Sequence, residues 1–246
     1  MDFLNKKTRH KTIIVVPTFN ERGNLKMVYQ KIFRAASACD LLIVDDNSPD
    51  GTGRIADELA RKDRRVHVVH REGKLGLGSA YIHGMDWALK RGYAHVVAMD
   101  ADLSHDPKNL PEMLRLIRKY DLVIGSRYVK DGGMVNWGMG RFLISRLANG
   151  LCRWVLGLRQ KDCSGGYKCY RADLLRKIGL GKFFSTGYSF QVEILYRAIR
   201  AGAKVVEFPI IFVNRHEGKS KLSLSELTGF GWTVARLKWS AWVGGI

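Results

Sequence analysis

The sequence predicts an α/β fold, a mostly parallel central sheet with helices on both faces. Three observations predict it. Apolar, β-branched runs alternate with helical stretches through the first half of the chain. The runs are almost continuously apolar, as strands buried on both faces require. Each run also stops at a polar cluster, the pattern of a ligand site outside the carboxyl ends of parallel strands.

Residues 12–16 form a strand that stops at Pro17. Residues 24–38 form a helix with Leu25, Val28, Ile32, Ala35 and Ala36 on one face. A buried strand at 41–44 runs into Asp45-Asp-Asn-Ser-Pro-Asp-Gly51, and helix 52–61 is capped by Thr52 or Asp50. Strand 66–69, helix 77–90 and strand 95–99 follow, the last ending at Asp100 and Asp102. Pro107 or Pro111 starts helix 109–119, and strand 122–125 leads into Ser126 and Arg127. The second half opens with a glycine-rich, mobile stretch at 132–140 and an apolar helix at 141–156. A turn and short strand within 162–170, a helix at 188–200 and a strand run at 205–213 complete it. Pro209 marks that last run as a sheet edge.

The chain has 246 residues, enough for one sizeable core, and a net charge of +18. Such a field suits anionic partners: nucleic acid, anionic lipid or phosphate-bearing substrates. No nucleic-acid-reading motif accompanies it, so nucleic acid is set aside. Cys39, Cys152, Cys163 and Cys169 lack metal-ligand spacing and suit free thiols in a reducing compartment. The first residues hold no apolar signal core, and no stretch reaches the roughly 18 apolar residues of a membrane span. The expected location is cytoplasmic, with membrane contact peripheral.

Asp100 and Asp102 carry the chemistry. In an extended backbone, side chains two apart share a face, so both can reach one hard cation that grips a diphosphate. The plainer reading is two solvated acids before a helix. The stretch Gly73-Lys-Leu-Gly-Leu-Gly78 lacks a P-loop ending. It either lets a ligand approach its backbone, with Lys74 near phosphate, or is a flexible turn. Arg127 suits a phosphate or is a solvated arginine, and Arg141 and Ser145 lie four apart on one helix face.

Pro17-Thr-Phe-Asn-Glu21, Asp45-Asp-Asn-Ser-Pro-Asp-Gly-Thr52, Lys74-Leu-Gly-Leu-Gly78 and Asp100-Ala-Asp-Leu-Ser-His105 occur in this order. Together they resemble the dolichol-phosphate (polyprenol-phosphate) mannosyltransferases of glycosyltransferase family 2, from residue 13 to about residue 222. The resemblance implies a GT-A fold with a Rossmann-like nucleotide-binding half over residues 1–222. It also implies a GDP-mannose donor, a Mg²⁺ or Mn²⁺ ion, a polyprenyl (dolichyl) phosphate acceptor and inversion at the sugar carbon. By motif, Pro17, Phe19, Glu21, Val44, Asp45, Asp46, Lys74, Gly76, Asp100, Ala101 and Arg127 fall on the donor side. Phe19 replaces the usual Tyr, and either Asp45 or Asp46 meets the base or ribose. Asp100, Asp102 and Ser104 fall on the metal, Ser104 directly or through water, since some relatives place a longer Gln there. Asp102, Arg127, Arg141 and Ser145 fall on catalysis, the last two holding the acceptor phosphate. Arg215 and Lys221 belong to a basic lid over the donor. UDP-glucose with the same lipid, or a non-catalytic member binding nucleotide sugar or membrane, is the alternative.

Residues 223–246 form an amphipathic helix in this reading. Leu224, Leu227, Val234, Leu237 and Trp239 make an apolar stripe. Trp232, Trp239 and Trp242, with Arg236 and Lys238, suit an anionic membrane surface. The alternative is a helix packed on the body. Some relatives without a span use a small membrane subunit, and the resemblance leaves room for one.

Overall fold

The computed structural model describes residues 11–185, 187–214 and 224–243. Its strands are β1 (Thr12–Thr18), β2 (Asp40–Asp45), β3 (Val66–His70), β4 (His95–Ala98), β5 (Leu122–Ser126), β6 (Gly133–Val135), β7 (Lys168–Arg171), β8 (Val205–Pro209) and β9 (Ile211–Val213). Seven form one sheet in the order β3-β2-β1-β4-β7-β5-β8, and β6 pairs with β9 in a separate parallel ribbon. All pairings in the large sheet are parallel except those of β7, which runs antiparallel between β4 and β5.

The apolar runs divide residue by residue between two cores. Ile13, Val15, Leu42, Val44, Val96 and Ala98 pack on one face of the sheet. Ile14, Val16, Leu41, Ile43, Val97 and Met99 pack on the other. This period-two alternation between two dry faces is why the strands read as solid apolar runs. Each Val, Leu, Ile or Met among them contributes roughly 1.5–3 kcal/mol on burial.

The helices are α1 (Leu25–Ala35), α2 (Thr52–Lys62), α3 (Leu77–Lys90), α4 (Leu110–Leu116), α5 (Met139–Leu156), α6 (Ala172–Ile178), α7 (Phe190–Arg200) and α8 (Leu224–Trp242). The N-cap residue of α2 is Gly51, at φ 90°, rather than Thr52 or Asp50; Asp50, just before it, accepts from the Thr52 main chain at 3.0 Å and the Thr52 hydroxyl at 2.6 Å. α3 lies against β1 and β2 at Gly84, where a Cβ would overlap the Val15 side chain. Pro107 opens a 3₁₀ turn, Pro107–Asn109, that leads into α4.

The structure corrects or refines several expectations. β1 continues through Pro17, because β4 ends opposite Val15 and leaves no partner on that side to need a proline N–H. The glycine-rich stretch contains β6, and the strand run splits at Ile210 into β8, at the sheet edge, and β9. The short strand within 162–170 lies inside the sheet as β7. Helix α6 follows it directly, too short to show a period. Val234 and Leu237 of α8 are buried, and the helix packs on α5 and α7, so one face belongs to the body. The side chains of Leu224 and Leu227 lie outside the described residues.

Candidate active site

The carboxyl ends of β1, β2 and β3 are stitched into one platform. Main-chain N–H groups of Asn20, Glu21 and Arg22 donate to Ser48 Oγ (3.0 Å), Thr52 Oγ1 (2.9 Å) and Asp50 Oδ2 (3.1 Å). Asp46 Oδ2 accepts from the Leu75 main chain at 3.2 Å, and Arg71 Nη1 stands 2.9 Å from Asp46 Oδ1. Burial holds the Asp46 carboxyl above its usual range, against the pull of Arg71. Lys74 Nζ lies 4.9 Å from the centre of the Phe19 ring. Phe19, Asp46 and Lys74, far apart in sequence, therefore belong to one surface, flanked by the half-buried Pro17 near the end of β1 and Glu21 on the loop with Phe19. Gly76, at φ 96°, takes the left-handed turn into α3.

The two acids that sequence left undecided now differ. Asp45 is 1% exposed, and its carboxylate accepts from Thr18 Oγ1 (2.9 Å), Ser48 Oγ (2.6 Å) and Ser48 N (3.1 Å). It shapes the turn. The side chains of Val44 and Ala101 are both packed in the cores, so a ligand would meet their backbone.

Beside this platform lies a cleft of about 550 Å³, lined by Asp100, Asp102, Ser104, Arg127, Arg141 and Ser145 among others. Asp100 Oδ1 accepts from the Tyr81 hydroxyl at 2.6 Å, so the close seat of α3 at Gly84 places the partner of the first carboxylate. Asp102 Oδ1 accepts from the Ser104 main chain at 3.0 Å. Leu103 between them takes φ 61°, an uncommon conformation for leucine that turns the chain within the motif. His105 Nδ1 accepts from the Asp100 main chain at 3.1 Å, which places the ring proton on Nε2. Its 3.8 Å approach to Asp100 Oδ2 is then no ion pair.

A divalent ion fits this donor set. The Ser104 hydroxyl oxygen is buried in the cleft wall with no hydrogen-bond partner. With two carboxylates it offers the hard oxygen ligands that Mg²⁺ and Mn²⁺ prefer. Among the described residues no three His, Cys, Asp or Glu side chains form a ligand set, so remaining positions would fall to water and diphosphate.

Arg127 departs from expectation. Its guanidinium is 9% exposed and bound in a fork by Asp162, Nε to Oδ2 at 2.7 Å and Nη2 to Oδ1 at 2.6 Å. Nη2 also donates to Ser164 Oγ at 3.0 Å. It meets the cleft as half of a neutral pair, not as a lone cation. Arg141 and Ser145 do line the cleft together from α5. Arg141 stacks 4.3 Å over Trp137 and donates to Asn214 Oδ1 at 3.0 Å, while the Tyr128 hydroxyl donates to Ser145 Oγ at 2.7 Å. The β6–β9 ribbon supports this arrangement: Phe212 meets His105 at 5.5 Å and Trp137 at 5.6 Å, edge to face. Arg215 and Lys221 lie outside the described residues.

Sequence reasoning missed Tyr81, Asp162, Gln191 and Arg236 as site residues. Arg236, on α8, lines the cleft with its guanidinium 4.1 Å over Phe184. Asp162 alone offered a signal, an acid opening a Cys-Ser-Gly-Gly turn. Glu193 of α7 is fully buried, its carboxylate taken up by Phe184 N, Ser185 N and Arg197, and it does not line the cleft.

Residues 13–179 match the family described as glycosyl transferase family 2. The chain belongs to glycosyltransferase family 2. It is a glycosyltransferase of GT-A type. It is 47% identical over 219 residues to polyprenol monophosphomannose synthase of Mycolicibacterium smegmatis, covering 88% of this chain and 83% of the relative. It is 48% identical over 213 residues to undecaprenyl-phosphate mannosyltransferase of Micrococcus luteus, covering 87% and 88%. The resemblance read from its motifs is thereby borne out. Glucosyl-3-phosphoglycerate synthase of Mycobacterium tuberculosis, solved with phosphoglyceric acid, shares the fold at TM-score 0.66 and 20% identity, covering 96% of this chain and 82% of that one. The same enzyme solved with Mn²⁺, UDP-glucose and phosphoglyceric acid aligns at TM-score 0.64.

Proposed function

We propose that this family-2 glycosyltransferase moves mannose from GDP-mannose to the phosphate of a polyprenyl (dolichyl) monophosphate, with inversion, giving a β-linked product. The observation that carries the reading is the meeting of Asp100 and Asp102 with Arg141 and Ser145 in one cleft. The names polyprenol monophosphomannose synthase and undecaprenyl-phosphate mannosyltransferase, borne by relatives at 47% and 48% identity, support the sugar and the lipid class.

Phe19, Asp46 and Lys74 take the nucleoside end of the donor on the platform. Asp100 and Asp102, with Ser104 directly or through water, hold Mg²⁺ or Mn²⁺, which when bound offsets diphosphate charge as a Lewis acid. Arg141 and Ser145 hold the acceptor phosphate. A phosphate monoester has a second pKa near ~6, so it is already a nucleophilic anion at neutral pH. Its oxygen forms the new bond to the anomeric carbon on the face opposite the diphosphate, whose bond breaks, and GDP leaves with the electron pair. No general base is required, which agrees with Glu193 being held elsewhere. Catalysis then rests on positioning and charge. Arg127, tied to Asp162, contributes orientation. Arg215 and Lys221 keep their lid role in this reading.

The acceptor arrives from a membrane, and two helices suit its cytoplasmic surface. Leu143, Leu147, Leu151 and Trp154 of α5 are exposed, as are Trp232, Trp239 and Trp242 of α8. Arg146, Arg153 and Lys238 lie on the same helices, fit to meet anionic headgroups. In this reading docking is peripheral, alone or through a small membrane subunit; no helix among the described residues is long and apolar enough to cross a membrane.

The test is a transfer assay to polyprenyl phosphate, offering labelled GDP-mannose and UDP-glucose separately, each with Mn²⁺ and with a chelator. Metal-dependent lipid labelling from GDP-mannose alone is expected. Labelling from UDP-glucose alone would overturn the donor assignment while keeping the site.

A further inference from the structure

Lys168 is fully buried in β7, in register with Ala98 on one side and Ile124 on the other. Its ammonium donates to the main-chain oxygen of Gln191 at 2.9 Å and to Gln191 Oε1 at 3.1 Å. With the amide oxygen accepting from the lysine, the amide NH₂ faces away. Away from Lys168 lies the cleft, which Gln191 lines. A Cβ built on Gly166, another lining residue, would stand 3.4 Å from Gln191 Nε2 and 3.3 Å from His105 Cε1. Glycine leaves a recess there, with a pair of N–H donors at its rim. Among the described residues no hydrogen bond uses Gln191 Nε2.

We propose that Gln191 is a sugar-binding residue whose Nε2 donates to a hydroxyl oxygen of the transferred sugar, and that Lys168 is the positioning residue fixing the amide's direction. The inference rests on the mannosyl-transfer reading and names a further contact in its site. A neutral amide suits a neutral hydroxyl, whereas the anionic groups have partners of their own: the acid pair with its ion for the diphosphate, and Arg141 with Ser145, on a different helix, for the acceptor phosphate. A site built to hydrogen-bond a hydroxyl discriminates against sugars that cannot offer it.

The test is calorimetric titration of the full chain, with Mn²⁺, by GDP-mannose and by GDP. The ratio of the two affinities cancels effects on the shared nucleotide. Gln191→Met is expected to lower that ratio about tenfold and kcat/KM with it, leaving GDP binding near wild type. Lys168→Met should lower the ratio in the same direction by less, and the double variant should be no worse than Gln191→Met alone. Should the methionine variant fail to fold, Gln191→Glu retains an acceptor for Lys168, removes the donors, and is read by the same ratio. An unchanged ratio overturns the proposal, as do equal losses for both ligands, additive losses in the double variant, or a change confined to the acceptor KM. Wild-type protein that binds no GDP-mannose overturns the parent reading and this one together; wild-type binding with an unaltered variant ratio overturns this one alone.

Discussion

Arg127 and Asp162 close on each other in a two-pronged ion pair with almost no solvent contact, 9% and 0% exposed. Asp162 Oδ2 also accepts from the Arg127 main chain at 3.0 Å. Burial pushes the Asp162 carboxyl up, but the charge and hydrogen bonds of Arg127 outweigh it and hold it below the usual carboxylate range. The pair joins the end of β5 to the loop before β7, which are two walls of the cleft. Asp162→Asn leaves a buried guanidinium without its counter-charge. A loss of about 3–5 kcal/mol is expected by chemical denaturation, together with lost transfer activity. Wild-type stability in that variant would remove the pair from the structural account.

Lys168 supplies a pH test. Its burial lowers its pKa from 10.5 to about 7. A base whose folded pKa lies below its unfolded one destabilises the fold most where it is charged in both states. That penalty is full below about pH 7 and fades as pH rises toward 10.5. The stability of the wild type relative to Lys168→Met should therefore rise between pH 7 and 10.5, read by denaturation of both proteins at each pH. A flat difference would refute the buried charge.

Asp102→Ala should abolish metal-dependent donor binding, measured calorimetrically with and without Mn²⁺. Tyr81→Phe removes only the hydroxyl that orients Asp100 at 2.6 Å. It should weaken the apparent metal affinity by about tenfold, at the lower end for partners one step behind a ligand.

The packed face of α8 changes how membrane docking is best tested. Deleting the helix would strip Val234 and Leu237 from the core, so loss of binding would be ambiguous. Replacing exposed Trp232, Trp239 and Trp242 together with Ser spares that face. This variant should keep its thermal stability and leave the floating fraction when mixed with anionic liposomes. Continued flotation would move docking to α5 or to a partner.

Gly84→Ala should cost stability, because the added methyl overlaps Val15 and must lift α3 from β1. The same shift would withdraw the Tyr81 hydroxyl from Asp100, so metal dependence should weaken alongside the melting temperature.

The alternating strands and helices of the first half were legible because each strand buries two faces and each helix one, which writes distinct periods into the chain. β6 and α6 were not, nor was the break between β8 and β9, since elements of three to seven residues without a flanking period leave little local signal. Asp100 and Asp102 could be read from local spacing, as neighbours at a strand end, whereas Ser104 came only with the family resemblance. Arg141 and Ser145 could be paired by helical spacing, but nothing local says which face of α5 meets the acids.

By itself the sequence determined the doubly covered sheet, the polar strand ends, the acid pair and, through its motifs, the family. Tertiary structure alone decided which charges are available. It bound Arg127 to Asp162, turned Asp45 into a turn-former beside Asp46, buried Lys168 behind Gln191 and brought Arg236 into the cleft. The physical reason is that strand and helix periods are local. Pairing a buried charge is a contact between residues distant in sequence, and its partner exists only once the sheet has placed both in one low-dielectric wall.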